Sequence, residues 1–321
     1  MNERWMWKGR RPRSLKAQEA RLAYMLVAPT VFIVLLIVIF PMIWNVILSL
    51  EPIRLADLPR VNLLDFHHFT LRNYHRAITA RGGYFWKVLV VTFEYTIGST
   101  ILALLMGLWA ALIVRDAFPG RNIVRGFLLF PYIAPVVSVA FIWKLMLDKN
   151  IGVITLLLAR LGIPPISYLT TRSYPIHIFG LEIGVPLALV TVILFEAWRY
   201  FPFAFLFFLA RLQAVPEDLY EAAAVDGASP LQRFWYITLP QLYAVAGTLF
   251  LLRFIWTFNK FDDIFLLNGG AAGTEVLAVQ IYNWLFARRN VGVSSAVAVI
   301  MALVLGVVVF IYLRWFVQEE E

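Results

Sequence analysis

Long apolar runs constrain this chain more than any other feature of its sequence. A helix needs about 20 mainly apolar residues to cross a bilayer, and 61% of the 321 residues are hydrophobic while only 15% are charged. Soluble domains are closer to half apolar and a quarter charged. The sequence therefore predicts an all-α polytopic membrane protein with six transmembrane helices: Leu22–Leu50, Trp86–Val114, Arg125–Leu147, Gly184–Leu209, Leu242–Phe258 and Val291–Val317.

The charges around the first helix predict the orientation. Residues 1–21 form a basic tail, and the apolar run that follows is much longer than the roughly 7–15 residues of a signal-peptide core. We therefore expect a retained first helix, a cytoplasmic N-terminus in contact with anionic lipid, and a cytoplasmic C-terminus after six crossings. The predicted domains are this tail, a transmembrane domain over 22–317 with its core over 86–317, and an acidic tail over 318–321.

Prolines are expected to interrupt several helices, because proline lacks a backbone N–H and its ring collides with the preceding turn. Pro41 is expected to kink the first helix, and Pro131 and Pro135 to break the regularity of the third. Pro240 is expected to end a short helix before the fifth. The apolar stretch Ile151–Gly162 is too short to span, so it is expected to lie along the outer interface or to pack on the bundle.

A polar stretch over 211–241 separates the fourth and fifth apolar segments. Pro216, followed by two carboxylates, is typical of a helix start. Gly227 is suited to the left-handed backbone that ends a helix, and Ser229 with Gln232 forms an S-x-x-Q capping box for the next one. The stretch therefore predicts two short helices joined at a glycine corner on a membrane surface.

This stretch resembles the EAA loop of binding-protein-dependent ABC importer permeases, in which Glu-Ala-Ala and Asp-Gly-Ala precede Ile-x-Leu-Pro. The resemblance implies a helix that docks into a cytoplasmic ABC ATPase dimer and couples it to the permease. An ordinary interfacial loop with good caps is the alternative. The matching residues are Glu221, Ala222, Ala223, Asp226, Gly227, Ala228, Ile237, Leu239 and Pro240.

The loop after the fifth helix is similar to the outer loop of the sugar, or maltose-type, branch of these permeases, in the first of its two permease kinds. Phe261-Asp262, Leu266-Leu267, Gly269-Gly270, Thr274 and Ile281-Tyr282 stand in the family order, with Ala271 where the family often has proline. The resemblance implies that Gly269, Gly270 and Thr274 contact an extracytoplasmic solute-binding protein. It also implies a second, different permease subunit and a bacterial or archaeal plasma (inner) membrane.

Four ionisable residues stand out inside predicted spanning helices, where charge is costly and functional roles are common. They are Glu94, Glu196, Arg199 and Arg253. Glu196 and Arg199 are three residues apart and could pair on one helix face. Arg253 could pair with Glu94 or Glu196, or extend its head group outward.

The resemblance also implies a solute pocket, because the helices on either side of the EAA loop line it in maltose-type permeases. The matching positions here are Glu196, Tyr200, Phe203, Arg253 and Thr257. Our hypothesis is that Glu196 and Arg253 hydrogen-bond a hydroxyl-rich or charged solute while Tyr200 and Phe203 stack on its apolar face. A disaccharide, a polyol and a glycerol-phosphate ester all fit, and packing is the alternative for both rings.

The sequence contains no pattern expected of an enzyme. It lacks G-x-x-x-x-G-K-[ST], so ATP hydrolysis is expected in a separate subunit. It has no cysteine, and no ligand pattern accompanies its histidines, His67, His68, His75 and His177, so neither a metal nor a cofactor is expected. Much of the net charge of +8 lies in the N-terminal tail, which does not favour nucleic acid.

These patterns together predict a permease subunit of an ATP-driven ABC importer that forms half of the path for a sugar or sugar-like solute. An ion-coupled secondary transporter is the main alternative, although the two halves of the chain show no convincing repeat. The EAA-like loop would also be unexplained in such a carrier. A membrane-embedded enzyme would need catalytic residues clustered at one depth, which the sequence does not show, and an assembly scaffold is a further alternative.

Overall fold

The computed structural model describes residues 15–60, 69–178 and 181–317. Most of the basic tail, the acidic tail over 318–321, His67 and His68 lie outside these ranges. The described part is almost entirely helical, with one β-hairpin. Its α-helices are α1 Leu15–Val34, α2 Phe40–Leu50, α3 Arg72–Ile113, α4 Arg121–Ile133, α5 Val136–Met146, α6 Val153–Arg160, α7 Leu187–Gln213, α8 Asp218–Val225, α9 Pro230–Arg233, α10 Leu239–Phe258, α11 Asp262–Asn268, α12 Leu277–Tyr282 and α13 Val291–Val317.

Within the described residues, five helical segments are long and apolar enough to cross a membrane. They are Glu19–Leu50, Gly82–Ile113, Leu187–Gln213, Pro230–Phe258 and Val291–Trp315. The pair α4 and α5 also passes the test together, but it is bent by 96° at its break. The number of crossings is therefore five, or six if this bent pair is one span.

The bent pair corrects the expectation of one helix over Arg125–Leu147. The break lies at Ala134, whose backbone is extended (φ −64°, ψ 139°), and α5 begins directly after Pro135. A proline disfavours helical geometry in the residue before it, which explains the position of the break. Pro131, by contrast, stays inside α4.

Prolines in two other helices are accommodated by a wider turn. Pro41 and Pro240 each lie two residues after a π-helical turn, at Leu35–Ile39 and Phe234–Thr238 respectively. The wider turn changes the hydrogen-bond register where the proline N–H is missing and its ring would collide with a carbonyl. The prediction that Pro240 ends a helix is wrong, because α9, this turn and α10 form one span.

Helix α3 is the element around which the others pack. It contributes buried residues to three apolar clusters, one shared with α7 and α10, one with α5, α7, α11 and α12, and one with α10, α12 and α13. Gly107 marks its closest approach to α7, because a Cβ there would lie 2.6 Å from Ala204 Cβ and 2.8 Å from the Phe205 nitrogen.

The segment before α7 forms a hairpin that the sequence did not predict. Strands β1, Tyr174–Ile178, and β2, Leu181–Val185, pair antiparallel. Gly184 lies in β2, so the fourth spanning helix begins at Leu187 rather than at Gly184. The short helix α6 lies in the apolar stretch that was expected not to span, and it packs against α5.

The glycine contact between α3 and α7 gives a stability prediction. We expect Gly107→Ala to lower the apparent free energy of unfolding by about 1–3 kcal/mol, because the added methyl group meets backbone atoms of α7. Gly126→Ala is the matched control, because no atom lies within 4 Å of its added Cβ. Thermal unfolding of the purified protein in detergent measures both, and equal midpoints would contradict the close packing.

Candidate functional site

A buried ion pair joins α7 and α10. Arg253 Nη2 donates to Glu196 Oε1 at 2.7 Å and to Thr257 Oγ1 at 3.0 Å, and the Thr257 hydroxyl lies 3.3 Å from the same carboxylate oxygen. The Glu196 and Arg253 side chains are 0% and 2% exposed. The structure thus brings together three of the five predicted pocket residues, but it pairs them with one another.

A second ion pair ties α7 to α11. Arg199 Nη1 donates to Asp263 Oδ1 at 2.8 Å, and the Asp263 side chain is fully buried. Lys260 Nζ lies 3.7 Å from the other Asp263 oxygen. The possible Glu196–Arg199 pair therefore does not form, because the turn after α10 brings a second carboxylate to Arg199.

Tyr200 lies between these ion pairs and a group of aromatic rings. Its ring centroid is 4.2 Å from the Arg253 guanidinium carbon, 5.1 Å from that of Arg199 and 4.4 Å from Lys260 Nζ. Lys260 also donates a hydrogen bond to the Tyr200 hydroxyl. A tyrosine ring attracts cations through its face, so three cations fix the position of this ring.

Tyr200 and the rings beyond it form a continuous surface, which we call the aromatic face. It consists of Tyr132, Tyr200, Phe203, Phe207 and Trp256. Tyr132 lies 5.9 Å from Tyr200 and 6.3 Å from Phe203, and Phe203 lies 4.9 Å from Phe207 and 5.2 Å from Trp256 between ring centroids. Tyr132, Phe207 and Trp256 are exposed, while Tyr200 and Phe203 are half-buried. The face is therefore open on the isolated chain, unlike the ion pairs behind it.

Sequence reasoning missed part of this site. Lys260, Asp263 and Trp256 were not singled out, although Lys260 and Asp263 flank the motif pair Phe261-Asp262. Residue spacing within one helix could not have connected them to Tyr200, because Tyr200 lies in α7 whereas these three residues lie in α10, in α11 or between them. Their proximity depends on how these helices pack.

The glycine corner of the EAA-like loop is folded as its sequence predicts. Helix α8 ends at a left-handed Gly227 (φ 81°), and the Ala228 N–H donates to the Ala223 carbonyl at 2.8 Å. Ser229 and Gln232 form the complete capping box of α9. Of the predicted coupling residues, those that are exposed are Glu221, Ala222, Asp226 and Gly227.

Helix α8 is held against the body of the protein at one point. The hydroxyls of Tyr220 and Thr238 hydrogen-bond at 3.0 Å, and the Arg115 guanidinium lies 4.0 Å from the Tyr220 ring centroid. On the outward side, Val225 is 89% exposed and Leu231 on α9 is also exposed. The loop thus presents apolar and small residues on a supported helix.

The glycine loop after α11 is compact and internally bonded. Gly269 and Gly270 have φ of 66° and 80°. Thr274 is fully buried, with its hydroxyl 2.9 Å from Asn268 Oδ1 and 2.8 Å from the Ala271 carbonyl. Gly269 is exposed and Gly270 half-buried, so of the three predicted contact residues Thr274 is the one enclosed by its own loop.

Comparison with known proteins connects this architecture to transport. The family described as "Binding-protein-dependent transport system inner membrane component" matches residues 103–320. The chain is 32% identical over 302 residues to the "Trehalose/maltose transport system permease protein MalF" of Thermococcus litoralis, covering 94% of this chain and 95% of that protein. It is also 32% identical over 298 residues to the "Trehalose transport system permease protein SugA" of Mycobacterium tuberculosis, covering 93% and 89%.

A solved structure shares the fold. The crystal structure of a bacterial ABC transporter involved in the import of the acidic polysaccharide alginate contains a chain that superposes with a TM-score of 0.76 at 20% identity. The match covers 94% of this chain and 96% of that chain.

The buried ion pair gives a prediction about stability. We expect Arg253→Leu to lower the apparent free energy of unfolding by about 3–5 kcal/mol, because it leaves the Glu196 carboxylate buried without its partner. The double variant Glu196→Leu/Arg253→Leu removes both charges and should lose much less. Denaturant unfolding in detergent compares them, with the exposed Arg314→Leu as control. Additive losses in the double variant would contradict coupling between the two charges.

Proposed function

Because the chain belongs to the family of binding-protein-dependent transport system inner membrane components, we propose that it forms half of the path by which an ABC importer takes up a sugar or sugar-like solute. It is an integral membrane permease, and its fold is that of an ABC importer permease. The comparisons lend no support to an ion-coupled carrier.

The aromatic face is the observation that supports a sugar-like solute. Binding sites for small molecules are lined mainly by apolar and aromatic groups, with a few polar groups that orient the ligand. Here the Tyr200 and Phe203 rings supply the apolar surface, and the Lys260 ammonium and Tyr200 hydroxyl supply polar groups at its edge. Two relatives are named for trehalose transport, one of them also for maltose.

The buried ion pairs lie behind the aromatic face and support it. Glu196, Arg253 and Thr257 bond to one another and are closed off from solvent by the chain itself. The Arg253 guanidinium lies against the Tyr200 ring, which stands between it and the other rings of the aromatic face. We propose that Tyr200 and Phe203 contact the solute directly, while Glu196, Arg253 and Thr257 hold α7, α10 and the Tyr200 ring in place.

The assembly that we propose contains four other kinds of subunit or ligand: a cytoplasmic ABC ATPase dimer, a second and different permease, an extracytoplasmic solute-binding protein and the solute. Small and apolar residues on α8 and α9 are suited to helix-in-groove docking on the ATPase. The glycine loop around Gly269 and Gly270 faces the binding protein. This arrangement implies a plasma (inner) membrane location with both termini in the cytoplasm.

The first test concerns the aromatic face. We expect Phe203→Ala and Trp256→Ala each to weaken uptake of trehalose or maltose by about tenfold, because each removes ring area that the solute covers. The control is Phe310→Ala, which removes an exposed ring from α13. Uptake is measured in proteoliposomes with the ATPase and binding protein present. Equal loss in the control would show that the effect is not specific to the aromatic face.

The second test concerns coupling through the EAA-like loop. Gly227 has φ 81°, so Gly227→Val strains the corner between α8 and α9, whereas asparagine tolerates this backbone. We expect Gly227→Val to lose or uncouple the copurifying ATPase and Gly227→Asn to keep most of it. The readout is solute-stimulated ATP hydrolysis by the complex purified through a tag on this chain. If no ATPase copurifies with the wild type, the importer proposal fails.

A further inference from the structure

Helix α3 exposes one carboxylate in the middle of an apolar surface. Six residues spaced three or four apart lie along one side of the helix and are exposed, and we call them the α3 stripe. Five of the six are apolar and the remaining one is Glu94. The stripe consists of Trp86, Val90, Glu94, Ile97, Ile101 and Leu105.

Glu94 lies at hydrocarbon depth. It is within the span Gly82–Ile113, and exposed tryptophans stand on both sides of it, at Trp86 and Trp109. With a rise of about 1.5 Å per residue, Glu94 is about 12 Å along the helix from Trp86 and about 22 Å from Trp109. Tryptophan favours the membrane interfaces, so the carboxylate sits well inside an apolar core that is about 30 Å thick.

The described part of the chain gives Glu94 no partner. No hydrogen bond or ion pair among the described residues involves it, and Arg199 and Arg253, on the helices α7 and α10 that pack against α3, are bonded to Asp263 and Glu196. The first span cannot supply a cation by covering the stripe, because residues 22–50 contain no lysine or arginine. A carboxylate facing lipid at this depth is strongly unfavourable, so a group other than the described residues is needed to satisfy it.

We propose that the α3 stripe is the surface on which the second permease subunit packs, and that Glu94 binds a cationic side chain of that subunit. The inference rests on the proposed function, which supplies the second subunit. The apolar neighbours of Glu94 make the stripe a dry contact surface rather than the wall of an aqueous path. A polar contact between two helices, surrounded by apolar packing, explains both the single carboxylate and the apolar residues on either side of it.

A second copy of this chain fits the stripe poorly. If two copies packed these stripes against each other about a twofold axis along the membrane normal, both Glu94 carboxylates would lie at the same depth. Two carboxylates that share a site repel each other. A different subunit avoids this repulsion, because its facing helix can carry the complementary donor.

The assembly experiment uses the whole complex, purified through a tag on this chain after coexpression. We expect Glu94→Leu to retain at least tenfold less of the second permease after a detergent wash than the wild type retains. Glu94→Gln keeps the size and the hydrogen-bonding capacity and should retain most of it. Val307→Leu, an exposed position on α13, is the control for an added apolar group. Wild-type retention by Glu94→Leu would overturn the proposal.

The absence of cysteine allows a direct test of what lies opposite Glu94. In Ile97→Cys, which keeps Glu94 and replaces its neighbour on the α3 stripe, a benzophenone maleimide on the single thiol should cross-link this chain to the second permease on illumination. In the unlabelled complex, the same thiol should resist a charged, membrane-impermeant thiol reagent. Rapid reaction with that reagent would place the position in a water-filled path. Cross-linking only to lipid, or to a second copy of this chain, would equally overturn the proposal.

These outcomes separate the inference from the function on which it rests. If the wild-type complex contains no second permease, the proposed function itself is wrong and the inference falls with it. If the second permease is present and remains bound in Glu94→Leu, only the inference is wrong.

Discussion

The ion pair between Glu196 and Arg253 is the interaction on which the functional half of this structure depends. It joins the helix before the EAA-like loop to the helix after it, and the two side chains are 0% and 2% exposed. Burying a charge is tolerated only when a partner satisfies it. The pair therefore fixes how α7 and α10 face each other, and through Tyr200 it fixes where the aromatic face begins.

The same requirement for satisfied polar groups shapes the helices. In an apolar environment every backbone donor and acceptor needs a partner within the protein, which favours continuous helices. Pro41 and Pro240 lie within long helices, and a π-helical turn precedes each one. Pro29, Pro131 and Pro202 stay inside helices without such a turn, while the chain bends by 96° where α5 begins after Pro135. One residue type thus has several outcomes in the same bundle.

The isolated chain exposes three surfaces that differ in chemistry. The aromatic face has cations behind it, the α8–α9 corner presents small and apolar side chains, and the α3 stripe carries one carboxylate. We propose a different contact for each: a solute, an ATPase groove and a neighbouring transmembrane helix. A permease subunit that encloses only half of a path should expose such surfaces, because its polar and aromatic groups are completed by other components.

The sequence by itself determined the elements whose signals are local. Apolar length predicted most of the spans, and Gly227, Ser229 and Gln232 predicted the corner between α8 and α9, because turns and caps depend on residues a few positions apart. Only the tertiary structure decided the ion-pair partners, since Arg199 bonds to Asp263 rather than to Glu196. It also decided that Glu94 faces outward while its neighbour Tyr95 is buried. Which side chains meet depends on the packing of helices distant in the chain, and residue spacing within one helix does not specify that packing.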